Sequence, residues 1–222
     1  GLSGAAIDRV DSTAEDAIHG IGAEIDHQVA PSNREHGTVV LAKLDENTDV
    51  AEAMDDLEKE DGIKAVQPNF IYRLSDSEEQ GDANSPSALS EMATDTYNQD
   101  TITGQYYLYR TNAMNAWDTG FKANGKVTVA VLDTGCRITH EDIKPNLLRD
   151  ENGKLLAYDV VKEQTLTGDI QGHGTHVCGI VGAVAGNGKG IAGVSYNANL
   201  LPINVFTRFA SGAVTAYSAD II

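Results

Sequence analysis

Val127-Thr128-Val129-Ala130-Val131-Leu132-Asp133 is the stretch on which the fold turns. It is a continuous apolar and β-branched run bounded by Gly125 and Asp133. A half-exposed strand would alternate with polar residues, so this run predicts a parallel strand buried on both faces. Open α/β sheets carry their sites at the carboxyl ends of their strands, which is where Asp133 stands. Further on comes Gln171-Gly172-His173-Gly174-Thr175-His176-Val177-Cys178-Gly179, leading into the apolar residues 180–184. Glycine on both sides of His173 lets backbone approach closely, and the residues that follow predict a helix whose positive end lies beside that imidazole.

The whole chain sets limits around these two stretches. Its 222 residues, 41% of them hydrophobic, suffice for one domain and a smaller one. No apolar run is long enough to span a membrane, so no membrane partner is expected. The chain starts at Gly1 without a charged-then-apolar segment, which reads as a processed or trimmed end. The net charge of -17 is unevenly spread: residues 1–74 hold 16 acidic and 6 basic side chains, residues 75–100 hold 7 and none, and residues 101–222 hold 10 and 10. That asymmetry divides the chain in two and, with no cluster of Lys and Arg, argues against a nucleic-acid surface.

In the acidic part, Ser12-Thr13-Ala14-Glu15 reads as a capping box opening a helix with Ala14, Ala17, Ile18 and Ile21 inward. Residues 38–44 predict a strand, more strongly than residues 23–30. Asp49 caps a second helix through Val50, Ala53, Met54 and Leu57, stopped by Asp61-Gly62, and residues 63–72 predict extended chain. The order helix, strand, strand, helix, strand suggests a small α+β sandwich. A ferredoxin-like version needs one more strand, for which residues 5–10 are the candidate. Residues 75–97 are Ser-, Asp-, Glu-, Asn- and Gln-rich and read as a cleavable linker unable to fold alone.

Ala65-Val66-Gln67-Pro68-Asn69-Phe70-Ile71-Tyr72 resembles the end of the propeptide that precedes subtilisin-like serine proteases. Val129-Ala130-Val131-Leu132-Asp133-Thr134-Gly135, then His140-Glu141-Asp142-Ile143, then His173-Gly174-Thr175-His176-Val177-Cys178-Gly179 resemble that family's Asp and His motifs, in the family's order. The resemblance implies the N-terminal part of an α/β subtilisin-like parallel-sheet catalytic domain (98–222), preceded by a ferredoxin-like α+β propeptide (1–74) and a linker with the maturation cleavage (75–97). It implies His173 as general base and Asp133 as its orienter, acting on protein or peptide substrates. It also implies a secreted or cell-surface protein whose own propeptide acts as intramolecular inhibitor.

The family's nucleophile follows the His in a Gly-Thr-Ser motif. Here the serines after His173 are Ser195, Ser211 and Ser218, and none follows Gly-Thr. The chain by itself is therefore expected to be inactive. It reads as a fragment partnered by the missing C-terminal part of the peptidase domain, or else as a relative that lost catalysis and acts as a binding or inhibitory module.

Other residues fit the same resemblance. Residues 200–206 predict the next parallel strand, with Pro202 tolerable near an end or edge. Ala210-Ser211-Gly212 matches the edge segment that pairs with extended substrate, or is a plain Ser-Gly turn. The loop 185–191 resembles the family's calcium loop, with Asn187, Asp142 and Gln105 as oxygen ligands of a structural calcium. Cys136 and Cys178 follow the Asp and His motifs and are brought near each other with them, as a disulfide or as two buried thiols.

Three competing patterns are weaker. His173 and His176 have a metal-pair spacing, though a core histidine suits His176 better. The glycines of residues 188–193 follow a helix rather than a strand, which fails the dinucleotide-loop context. Asp118-Thr119-Gly120 repeats Asp133-Thr134-Gly135 in the manner of aspartic proteases, but so short a separation cannot place the two carboxylates on separate lobes.

Overall fold

The computed structural model of the chain describes residues 12–33, 37–74, 105–119 and 127–221. The candidate first strand at 5–10 and the linker lie outside the described residues. The described residues divide into two compact units: those up to Tyr72 together with those from Tyr217 onward, and those from Arg73 to Ala216.

In the first unit, α1 (Ser12–Gly20) buries Ala14 and Ile18, two of the four positions expected to face inward, while Ala17 and Ile21 are partly buried. A hairpin of β1 (Ala23–Asn33) and β2 (Gly37–Leu44) follows, antiparallel and irregular beyond Ile25. α2 (Val50–Leu57) starts at Asp49, whose carboxylate accepts the N–H groups of Ala51 and Glu52 at 2.9 and 3.0 Å. This satisfies donors that a helix start leaves unpaired. Ile18, Ala23 and Leu57 form the core, with Ile25, Val40 and Val66 against it. Residues 63–70 have no regular structure, and only β3 (Ile71–Arg73) is a strand. The expected ten-residue extended segment is thus shorter than its composition suggested. At its end, Phe70 N–H donates to Ser218 Oγ at 3.1 Å, and Ala219 N–H donates to Asn69 Oδ1 at 3.0 Å.

The second unit opens with α3 (Tyr106–Arg110) and α4 (Ala113–Asp118). Trp117 anchors this part, edge-on to Tyr196 with ring centroids 5.1 Å apart, its indole N–H donating to the Val194 carbonyl. A four-stranded sheet in the order β4-β7-β5-β6 then forms, from β4 (Thr128–Asp133), β5 (Tyr158–Asp159), β6 (Gln164–Thr165) and β7 (Asn199–Asn204). β4 and β7 are parallel, with Asp133 opposite Asn204. α5 (His173–Gly182) packs on these two strands, its Cys178 sharing a core with Val131, Cys136 and Leu200. β8 (Phe206–Arg208) and β9 (Val214–Tyr217) make a hairpin, and α6 (Ser218–Ile221) follows in the first unit.

Two expectations change here. β4 is covered on one face only: Val131 is buried whereas Leu132 is 42% exposed. α5 covers the Val131 side of the sheet, and the opposite side leaves Leu132 partly open. Pro202 lies inside an interior strand rather than at an edge. It is tolerated because the neighbour opposite β4 pairs at Leu200 and again from Ile203, leaving position 202 without a partner on that side.

Candidate active site

Asp133 ends β4 and His173 begins α5, and the two meet. His173 Nδ1 lies 2.7 and 2.9 Å from the two carboxylate oxygens of Asp133. An ionised carboxylate only accepts, so Nδ1–H is the donor. Asp133 also accepts the Thr134 N–H at 2.7 Å, while the His173 side chain keeps 30% of its surface exposed. A buried carboxylate thus fixes the tautomer and direction of a partly exposed imidazole, the arrangement of a general base.

Glycine makes that approach feasible. Gly172, just before α5, has φ of +110°, a conformation other residues rarely adopt. At Gly174 a Cβ would stand 2.1 Å from the Gly135 carbonyl oxygen and 3.1 Å from the Asp133 side chain. Any side chain there would push the helix, and the imidazole with it, off the strand end.

Sequence reasoning missed Asp169, whose role depends on a chain reversal. It bridges to Gly135 and accepts from Thr134, Gln171, Gly172 and Thr175. Burial pushes its carboxyl up, but the Thr175 hydroxyl, the N–H groups of Gln171 and Gly172 and the Thr134 hydroxyl hold it below its ordinary value. The available signal was an acid four residues before His173 and a threonine directly after Asp133.

His176 is exposed, not a core histidine as expected. The buried stripe of α5 runs through Gly174 and Cys178, and position 176 lies about 200° round the helix from 174. Among the described residues no group of three or more His, Cys, Asp or Glu side chains gathers to hold a metal. Cys136 and Cys178 are free, fully buried thiols in one core. A hydrogen bond with Cys136, then burial, raises the Cys178 thiol far above its ordinary value.

Gln105, Asp142 and Asn187 come together around the 185–191 loop. Asp142, 2% exposed, accepts Asn187 Nδ2–H at 2.7 Å and Ile191 N–H at 3.0 Å. Gln105 Oε1 accepts Ala192 N–H at 2.7 Å, and its buried Nε2 has no hydrogen-bond partner among the described residues. A Cβ at Gly190 would collide with the Asp142 carboxylate, so the loop wraps closely around that charge. Lys189 instead pairs with the exposed Glu141.

Ala210, Ser211 and Gly212 form the turn of the β8–β9 hairpin, where Gly212 N–H donates to the Phe209 carbonyl at 2.9 Å. The backbone here is thus a turn, the second of the two expectations for 210–212, and the extended residues that follow are Val214–Tyr217.

Residues 124–220 match the profile of the Subtilase family. The chain is 33% identical over 163 residues to the minor extracellular protease Vpr of Bacillus subtilis (strain 168), covering 72% of this chain and 18% of that protein. It is 34% identical over 160 residues to a thermophilic serine proteinase of Bacillus sp. (strain AK1), covering 72% and 33%. Against thermitase of Thermoactinomyces vulgaris it is 33% identical over 118 residues, covering 53% and 39%. The chain therefore spans well under half the length of these relatives, and the matches support a subtilase.

Proposed function

We propose that this chain is the propeptide-bearing, N-terminal part of a subtilisin-like serine endopeptidase precursor that hydrolyses peptide bonds in proteins. The observation that carries the reading is the 2.7 Å contact of His173 Nδ1 with Asp133 at the carboxyl end of a parallel strand. In this reading His173 Nε2 takes the proton of a serine hydroxyl as that oxygen attacks the substrate carbonyl, and later gives it to the leaving amine. Asp133 keeps Nδ1 protonated and stabilises the imidazolium. The serine is supplied by sequence beyond these 222 residues.

Residues 1–74 are read as an inhibitory, folding-assisting propeptide and residues 75–97 as the segment cut on maturation. The bonds of Asn69 and Phe70 to Ser218 and Ala219 support an inhibitory tail. Extended substrate would pair along β9, next to the turn at Ala210-Ser211-Gly212. A structural calcium would be held by Asp142, Gln105 Oε1 and Asn187 after rotation of its amide, and would neutralise a buried charge. A secreted or cell-surface location is supported by the extracellular relative in Bacillus subtilis.

The test is an assay of the complete encoded protein on a denatured protein substrate. Asp133→Asn and His173→Ala should each abolish cleavage, and N-terminal sequencing of the matured enzyme should place the new start between Arg73 and Asn98. Undiminished cleavage by both variants overturns the reading, and a wild type that binds substrate without cleaving it points to the non-catalytic relative.

A further inference from the structure

We infer that Asp169 is a positioning residue for the proposed base: its carboxylate ties the chain on both sides of His173 to the strand end that carries Asp133. The inference rests on the general-base reading of His173. Asp169 Oδ1 accepts Gln171 N–H at 3.0 Å, Gly172 N–H at 2.7 Å and the Thr134 hydroxyl at 2.8 Å. Its Oδ2 accepts Thr175 N–H at 2.7 Å and the Thr175 hydroxyl. Thr134 closes the circuit, because its Oγ1 also accepts Gly174 N–H at 2.9 Å. Backbone groups at 171, 172, 174 and 175 are thus gathered by one carboxylate and one hydroxyl, and that hydroxyl belongs to the residue after Asp133.

The first turn of any helix leaves backbone donors unpaired, and they are usually taken by the side chain of the capping residue. The residue before α5 is Gly172, with no side chain to take them. Asp169 does this from three residues earlier, which leaves position 172 free to adopt the left-handed backbone that turns His173 toward Asp133. The chemistry asks for a carboxylate. All five partners of Asp169 donate, so an amide of the same shape would face a donor with its own N–H on one side. None of these five bonds is made to the imidazole. Asp169 acts through Thr134 and the backbone, so its removal should loosen the pairing of His173 with Asp133 while leaving the sheet intact.

The decisive measurement is proton NMR of the nitrogen-15-labelled chain, following the hydrogen-bonded Nδ1–H of His173, assigned by its loss in Asp133→Asn. In Asp169→Asn and in Thr134→Val this resonance should broaden into exchange while sheet amide signals stay in place, and Thr134→Ser, which restores the hydroxyl, should retain it. If Asp169→Asn gives no native spectrum, the Thr134 pair decides the matter. A resonance as sharp in folded Asp169→Asn or Thr134→Val as in the wild type overturns the inference. A resonance that Asp133→Asn leaves unchanged overturns the His173–Asp133 pairing, and with it the general-base reading on which the inference stands.

Discussion

Asp169 and Asp142 are two carboxylates set against glycine-rich backbone, one at the start of α5 and the other beneath the 185–191 loop, and they are treated in opposite ways. Asp169 is only half-buried yet has five donors. Asp142 is 2% exposed and, among the described residues, takes two. A buried charge is stable only when its lost hydration is replaced. At Asp169 the replacement comes largely from the chain itself, which suits a group that must hold geometry. At Asp142 two donors are described, one from Asn187 and one from the backbone of Ile191. The same residue type is met by five donors in one place and by two in the other, and the calcium proposed above would act at the second.

The sharpest break of this contrast is functional. In the complete protein, His173→Ala or Asp133→Asn should lower kcat roughly ten-thousand-fold, whereas Asp142→Asn should leave kcat nearly intact when assayed at low temperature. A calorimetric or dye-binding melt with and without a calcium chelator reads the other side. Calcium a hundredfold above its Kd contributes about 2.7 kcal/mol, so chelation should lower Tm by several degrees in the wild type and leave Asp142→Asn unmoved. A wild-type Tm indifferent to chelator removes calcium from the account of Asp142.

The next effect is set by pH. Asp169 has a folded value below the ordinary 3.8. Its contribution is therefore present above that ordinary value and is lost as pH falls through the lower folded one. Urea midpoints of the wild type and Asp169→Asn should differ at pH 7 and converge in strong acid. A gap that persists at low pH would mean that the variant fails for reasons other than charge. The smallest effect is chemical. With both thiols buried and Cys178 raised, a thiol reagent should find no fast-reacting group in the native chain and two after denaturation; a count of zero after denaturation would mean a bridge.

Much of the site was legible because it depends on short stretches. The run ending at Asp133 and the glycine-flanked His173 each declare a local geometry, and their joint resemblance supplies the contact between them. Asp169 was not legible in the same way. Nothing in Gly168-Asp169-Ile170 shows that the chain turns back to bridge Gly135, and that bridge gives the carboxylate its role. The two-residue strands β5 and β6 are too short to leave a periodic signal. Pro202 misled because the rule for proline in sheets concerns hydrogen-bond demand, and demand at 202 vanishes only through an interruption in another segment. The exposed Leu132 shows the converse: composition reports that a face is meant to be covered, whether or not the cover lies among the described residues.

The glycines around the Asp133–His173 pair carry a consequence for how this sequence can change over time. Gly168 and Gly174 flank the same network, yet a Cβ at 168 would meet nothing within 4 Å while one at 174 would strike the Gly135 carbonyl. A library randomised at both positions and sorted for intact fold should therefore return many residues at 168 and almost none but glycine at 174. Tolerance would follow the space beside the strand end rather than distance along the chain from His173.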